Sequence, residues 1–195
     1  MPDVQLLVIR HGESEWNATG RWQGQADPPL TARGLQQAET AALHISGSFD
    51  LVVSSDLRRA HQTAHIIADH LGLAPAVTDR RLRERHAGPW QGLTRSEIES
   101  QWPGAIEHRT YPSGYETDDQ VVDRVLPALL DIARRVETKA VVVAHMGIIR
   151  AVDRAIGGRD ERIPNLGGRW YRVSSAIEPG ELVELATAES TTEVE

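Results

Sequence analysis

The sequence predicts an α/β fold with three layers, α/β/α, around a mainly parallel central sheet. Two kinds of segment carry that reading. Apolar runs rich in branched residues recur at 4–9, 51–55 and 140–144, as strands buried on both faces do. Amphipathic segments of helical period separate them. The order strand, helix, strand is that of a sheet with helices on both sides.

Each element has its own signature. Thr31 is a good N-cap for a helix that buries Leu35, Ala38, Ala42 and Ile45. Asp56 is expected to cap the next helix, with Leu57, Ala60, Ala64, Ile67 and Leu71 on one face. Thr94 and Glu97 have the spacing of a capping box. A longer helix is expected over 118–136, kinked or divided by Pro127, which lacks an N–H and crowds the preceding turn. A last helix covers 146–155. Residues 170–177 and 181–186, split by Pro179 and Gly180, are expected to form a hairpin. The stretch 88–113, irregular and rich in Pro, Gly and Trp, is expected to cover the rim of the sheet. Residues 1–187 form a single expected domain, and 188–195 an acidic tail expected to be disordered.

Composition narrows the function. A chain of 195 residues supports one full core. Without cysteine it has no disulfide framework, thiolate metal site or thiol nucleophile. Asp3 and the strand that follows it leave no room for a basic, apolar leader. No apolar stretch approaches the roughly 20 residues that span a bilayer. A soluble cytoplasmic protein is therefore expected, with no membrane partner. The net charge of −7 argues against a nucleic-acid partner. Among 21 basic residues only Lys139 is a lysine, and Arg10, Arg21, Arg58, Arg59, Arg81, Arg83 and Arg85 fall in or near the motif-bearing segments. The planar guanidinium fork suits phosphate or carboxylate, so a local anion pocket in an acidic protein is expected.

The sharpest local signal is Arg10-His11-Gly12 at the end of the first strand. Ligands of open α/β sheets bind at the carboxyl ends of the strands, and Gly12 would let backbone approach a ligand closely. The strand at 140–144 ends likewise, on His145, Met146 and Gly147. If the two strands are parallel neighbours, their ends lie about 4.8 Å apart and both imidazoles can face one small group. A second histidine pair, His61 and His65, has i, i+4 spacing suited to zinc. It lacks the glutamate of HExxH and falls off the buried stripe of its helix, so no metal is expected.

The runs RHGESEWN, SSDLRRAHQTA, LRERHAGPWQGLT and VVVAHMGIIR, in that order along the chain, resemble the motifs of the histidine phosphatase superfamily, the phosphoglycerate mutase-like family. The resemblance implies a metal-independent phosphomonoesterase acting on a small phosphorylated metabolite through a covalent phosphohistidine, with no cofactor. By position, His11 matches the nucleophile. Arg10 and Arg59 match the arginines that hold the phosphoryl oxygens, and His145 is the fourth member of that pocket. Asn17, Gln23 and Gly24 match the loop that adds neutral donors. Glu84 matches the acid that protonates the leaving oxygen. The other branch of the superfamily has an Asp straight after the second histidine, where this chain has Met146.

Several alternatives stay open on the sequence. Glu84-Arg85-His86 and Gly88 resemble the cofactor-dependent phosphoglycerate mutases, but those chains are longer, and 114–117 resembles the phosphatase type. A protein phosphohistidine phosphatase would be shorter and lack the covering segment. A non-catalytic phospho-ligand module would have lost one of His11, Arg59, Glu84 and His145, and all four are present. The substrate itself is not readable, although Trp90, Trp102, Tyr111, Tyr115 and Arg109 are candidates to line its site. Self-association as a homodimer is a further open alternative.

Overall fold

The computed structural model describes residues 3–186; the predicted acidic tail, 188–195, lies outside them. The strands are β1 (Val4–Arg10), β2 (Leu51–Ser54), β3 (Val77–Thr78), β4 (Lys139–Ala144), β5 (Gly167–Val173) and β6 (Ile177–Glu184). The helices are α1 (Glu15–Ala18), α2 (Ala32–His44), α3 (Arg58–His70), α4 (Arg95–Gln101), α5 (Asp118–Ala133) and α6 (Met146–Ala155). One sheet runs in the order β3-β2-β4-β1-β5-β6. β3, β2, β4 and β1 are parallel, and β5 and β6 join antiparallel at one edge. Among the described residues no helix is long and apolar enough to cross a membrane.

Alternating strand residues feed two cores. Leu6, Val8, Val53, Val142 and Ala144 pack beneath α5 and α6 through Val125, Leu129, Ile148 and Val152. Leu7, Ile9, Val52, Val141 and Val143 pack against α2 and α3 through Ala42, Ile45, Ala64 and Ile67. This is the predicted three-layer arrangement. The chain leaves β1 for a helix on one face and β4 for a helix on the other. A crevice therefore opens beyond the adjacent carboxyl ends of β1 and β4, the topological switch point of the sheet.

Local departures from the sequence reading have physical causes. In α2 the buried stripe is Gly34, Ala38, Ala41 and Ala42, so Leu35 lies at its edge, 38% exposed. Asp56 does not cap α3, because Arg83 takes its carboxylate in a two-pronged contact, 2.7 Å on each side. Asp27 caps in its place from another loop, accepting the Arg58 N–H at 2.6 Å. Pro127 does not divide α5, a single helix that ends at Ala133. The hairpin turns at Ser174–Ala176 and not at Pro179-Gly180, which lie within β6. The β5–β6 register shifts between Arg169 and Tyr171, opposite Pro179; an edge strand and an irregular register are where a residue without an N–H is tolerated. The capping box of Thr94 and Glu97 forms as expected.

The predicted cover is a small third core. Trp90 and Ile98 are fully buried in it, with Trp22, Trp102 and Tyr115 packed around them. Gly12 has a packing role that the sequence did not reveal. Its Cα abuts the carbonyl of Gly34, and Gly34 in turn abuts the backbone of Glu13. These two contacts seat the start of α2 on the loop that follows His11.

A Cβ on Gly34 would overlap the Glu13 carbonyl oxygen. Alanine is the better helix former by about 1 kcal/mol, yet overpacking against backbone costs about 1–3 kcal/mol. Gly34→Ala is therefore expected to lower stability in urea denaturation. A variant as stable as the parent would show that the loop yields freely.

Candidate active site

The β1–β4 register sets Arg10 opposite Ala144, and the ladder continues with the His11 N–H on the Ala144 carbonyl at 3.1 Å. His11 and His145 thus leave adjacent strands side by side, with ring centroids 5.1 Å apart and planes at 64°. The His11 Nδ1–H donates to the Gly12 carbonyl at 2.6 Å. A carbonyl only accepts, so Nδ1 carries the proton and Nε2 the lone pair. Arg59 Nε–H donates to that lone pair at 3.2 Å. Burial, and then the charges of Arg59 and Arg10, hold the His11 pKa well below 6.5. His145 is shifted the same way, again chiefly by burial. Neither of its ring nitrogens has a hydrogen-bond partner among the described residues, a rare condition for a buried polar group.

Arg59 is fully buried in the first turn of α3. Its Nη1 donates to the Ala26 carbonyl at 2.7 Å and its Nη2 to the Gly24 carbonyl at 3.0 Å. Burial lowers its pKa to about 10, against the opposing charges of Glu84 and Asp27, so it is a cation at neutral pH. Arg58 is exposed. Arg10, 4% exposed, donates through Nη1 to the Ile163 carbonyl at 2.9 Å.

The Glu84 carboxylate is held by two backbone donors, Arg85 N–H at 2.7 Å and Gly147 N–H at 3.0 Å. A Cβ on residue 147 would strike that carboxylate, so glycine there is what lets it reach the start of α6. Asn17 and Gln23 meet at the buried hydroxyl of Ser14, 3.0 Å from Asn17 Oδ1 and 2.8 Å from Gln23 Oε1. Their amide carbonyls are engaged, leaving the amide N–H groups to offer. Gly24 adopts φ +51° against Ala87 and Gln91, which turns its carbonyl onto Arg59.

Arg10, His11, Asn17, Gln23, Gly24, Arg59 and Glu84 all line one cleft of about 480 Å³. His145 is not part of that lining and stands behind His11. Of the expected substrate-facing residues, Trp90, Tyr111, Tyr115 and Arg109 line the cleft. Trp102 does not; it packs behind Trp90 at 6.4 Å, and Trp22 lines the wall in its stead. His61 and His65 are exposed on α3, and His65 faces Asp69 at 3.5 Å.

Sequence reasoning missed the residues that hold the site from behind. Asn165 Nδ2 donates to the His11 carbonyl at 2.8 Å, and the Leu166 N–H to the Arg10 carbonyl at 3.1 Å. Leu166 is fully buried with φ +58°, a conformation costly for a branched side chain. Thr63 Oγ1 accepts the Gly12 N–H at 3.1 Å and donates to the Arg59 carbonyl at 2.8 Å, linking β1 to α3. Position 63, on the buried side of α3, was the only available signal.

A parallel α/β sheet with two neutral imidazoles and two buried guanidiniums at its switch point defines an enzyme fold with an anion cleft. Residues 6–169 match the family model of the histidine phosphatase superfamily, branch 1, and the chain belongs to that family. It is 39% identical over 179 residues to a glucosyl-3-phosphoglycerate phosphatase of Mycolicibacterium vanbaalenii, covering 84% of this chain and 79% of that one. It is 36% identical over 159 residues to a metal-independent phosphoserine phosphatase of Arabidopsis thaliana, covering 76% and 67%. Among solved structures, mycobacterial hydrolase 1 superposes with a TM-score of 0.84 at 31% identity, over 95% of this chain and all of the other. The family and the fold expected from the motifs are those observed.

The two buried imidazoles set a pH dependence. Their folded pKa values lie below the unfolded value of 6.5, so below pH 6.5 the unfolded chain binds protons that the native state refuses. Stability is then fully present above pH 6.5 and is lost as pH falls toward the folded values. Nitrogen-15 NMR at pH 6.5 is expected to show His11 neutral with its proton on Nδ1. A protonated His11 ring there would overturn the assignment.

Proposed function

We propose that the protein is a phosphatase that hydrolyses the phosphomonoester of a small metabolite through a phosphohistidine on His11. The observation that carries this reading is the state of His11. Its ring is neutral, with the Nδ1–H donated to the Gly12 carbonyl and the Nε2 lone pair presented between cationic groups. Such an imidazole needs no separate base to attack phosphorus.

Nε2 forms the bond to phosphorus as the ester P–O bond breaks, and Arg59 Nε–H passes from the ring to a phosphoryl oxygen. The ring gains positive charge, which the Gly12 carbonyl stabilises through Nδ1–H. Arg10 and Arg59, fixed before the substrate arrives, carry the charge on the phosphoryl oxygens. His145, edge-on to His11 and outside the lining of the cleft, backs the ring, and the amides of Asn17 and Gln23 supply neutral donors. Gly24 acts through its carbonyl, by holding Arg59. Glu84 gives its proton to the leaving oxygen. As a carboxylate it then takes a proton from the water that attacks the phosphohistidine, releasing phosphate and returning the lone pair to Nε2. The arginines supply the positive charge that this chemistry needs, so no metal is required; one relative bears the name metal-independent phosphoserine phosphatase.

The cleft supports a small substrate. Its volume of about 480 Å³ falls within the range of about 300–1,000 Å³ usual for small-molecule sites. The aromatic wall of Trp22, Trp90, Tyr111 and Tyr115 and the names of the relatives agree with that class.

Brief mixing with a phosphoryl donor is expected to leave an acid-labile, base-stable label, absent in His11→Ala, and turnover is expected to persist in EDTA. Normal turnover by His11→Ala would refute the mechanism, and conversion of 3-phosphoglycerate to its isomer without phosphate release would mark a mutase. Arg59→Ala is expected to lower kcat/KM at least about 10²-fold, the scale of one lost preorganised donor, and Arg58→Ala much less. Equal losses would refute the role of Arg59.

Glu84→Gln is expected to be selective. Cleavage of an alkyl phosphate, whose leaving alkoxide needs a proton, is expected to fall about 10²–10⁴-fold, with p-nitrophenyl phosphate largely spared. Single-turnover rates are the measurement, since breakdown of the phosphohistidine can limit the activated ester. A uniform loss would leave Glu84 as an orienting residue only.

A further inference from the structure

We infer that Arg124 is the positioning residue of the acid, setting where the Glu84 carboxyl stands by clamping the backbone that carries it. The inference rests on the proposed role of Glu84 and adds to it a residue on a different element, α5.

A guanidinium has five N–H donors, and Arg124 spends all five on one segment and its brace. Nη1 donates to the carbonyls of Arg81 at 2.6 Å and Arg83 at 2.7 Å. Nη2 donates to the carbonyl of Glu84 at 3.2 Å and to Glu116 Oε2 at 2.8 Å. Nε donates to Glu116 Oε1 at 2.7 Å. Glu116 in turn accepts the His86 N–H on Oε2 at 3.0 Å and donates its own N–H to the His86 carbonyl at 2.9 Å. The residues before Glu84 are thus fixed by Arg124, and those after it by the partner of Arg124.

The segment needs such a clamp because it is not part of a strand or an α-helix. A 3-10 turn at Arg80–Leu82 precedes Glu84, so little of its backbone is fixed by a regular ladder. Three neighbouring carbonyls and both oxygens of the Glu116 carboxylate converge on one planar cation, five acceptors that the three donors of a lysine cannot satisfy. Arg124 and Glu116 are largely buried, with side chains 20% and 15% exposed, which limits competition from water. Arg124 touches no reacting atom in this scheme. It acts through the Glu84 main chain, whose side chain then reaches only as far as the N–H groups of Arg85 and Gly147 allow.

The test is Arg124→Lys, which keeps the charge and removes the fork. If Arg124 places the acid, the single-turnover rate on an alkyl phosphate falls about 10²-fold, as an ångström of misplacement can cost. p-Nitrophenyl phosphate is spared, and Arg124→Lys adds no loss to Glu84→Gln on the alkyl substrate. Glu116→Gln, which keeps one acceptor of the brace, gives a smaller loss of the same selectivity and serves as the second variant if Arg124→Lys folds poorly. A uniform loss on both substrates, or a loss additive with Glu84→Gln, overturns the inference. The two readings fail differently. Selective Glu84→Gln with uniform Arg124→Lys removes the clamp and leaves the acid, whereas uniform Glu84→Gln removes the acid itself.

Discussion

Parallel pairing of β1 with β4 puts residues 11 and 145 next to each other where helices leave for opposite faces of the sheet. That pairing is a backbone interaction, and the chemistry of the cleft follows from it. The ladder carries on past Arg10 into the His11 N–H, so the first residue beyond the strand is as well fixed as the strand itself. Asn165 and Leu166 fasten the same two residues from the other side. An imidazole anchored this firmly can be buried, and burial is the largest cause of its low pKa. A protonated ring would have no lone pair to offer. The sheet register therefore reaches directly into the protonation state of the proposed nucleophile.

Burying Arg59 beside that ring would be costly if its donors were unmet. Its hydrogen bonds go to neutral acceptors, two carbonyls and an imidazole nitrogen. A carboxylate in the same place would satisfy the cation and also quench its field. Neutral acceptors satisfy the donors and leave the charge for an arriving anion, with Glu84 and Asp27 acting only from a distance. Burial outweighs those charges and lowers its pKa to about 10, which still leaves the group ionised at neutral pH. Electrostatic preorganisation of this kind is useful because nothing has to reorient as the phosphoryl group moves.

The sequence is legible where burial imposes a period. The apolar runs of β1, β2 and β4 and the stripe of α3 were readable because each must fill a core, whereas the family pattern selected Arg59 over Arg58, and in the structure Arg59 is buried and Arg58 exposed. Where polar contacts decide, the pattern is silent. Asp56 has the right chemistry and position for a cap, but Arg83 competes for it from 27 residues away. Pro179-Gly180 has turn chemistry, yet an edge strand with a shifted register absorbs it. Asn165 and Leu166 lie in an irregular segment whose partners, His11 and Arg10, are distant in sequence, and no local signal announces them. Gly147 was visible as a glycine after a histidine, but the reason for it is the Glu84 carboxylate pressed against its Cα.

The arginine clusters show the same division more fully. Their sequence positions suggested one anion pocket, and the structure adds two further tasks, pairing with aspartates and bracing main chain. Arg10, Arg21, Arg59 and Arg85 line the cleft. Arg81 and Arg83 are spent on Asp79, Asp131 and Asp56. Arg21 and Arg85 also brace main chain, on the Gly92 and Glu116 carbonyls, and Arg169 braces that of Gly180. Arg124 takes three carbonyls at once. A cleft built from loops at the rim of a sheet leaves many carbonyls without ladder partners, and each must find a donor. A planar group with five donors meets several of them together and stays charged while doing so. A preference for arginine over lysine thus serves the loops that shape the cleft as much as the anion it is proposed to hold.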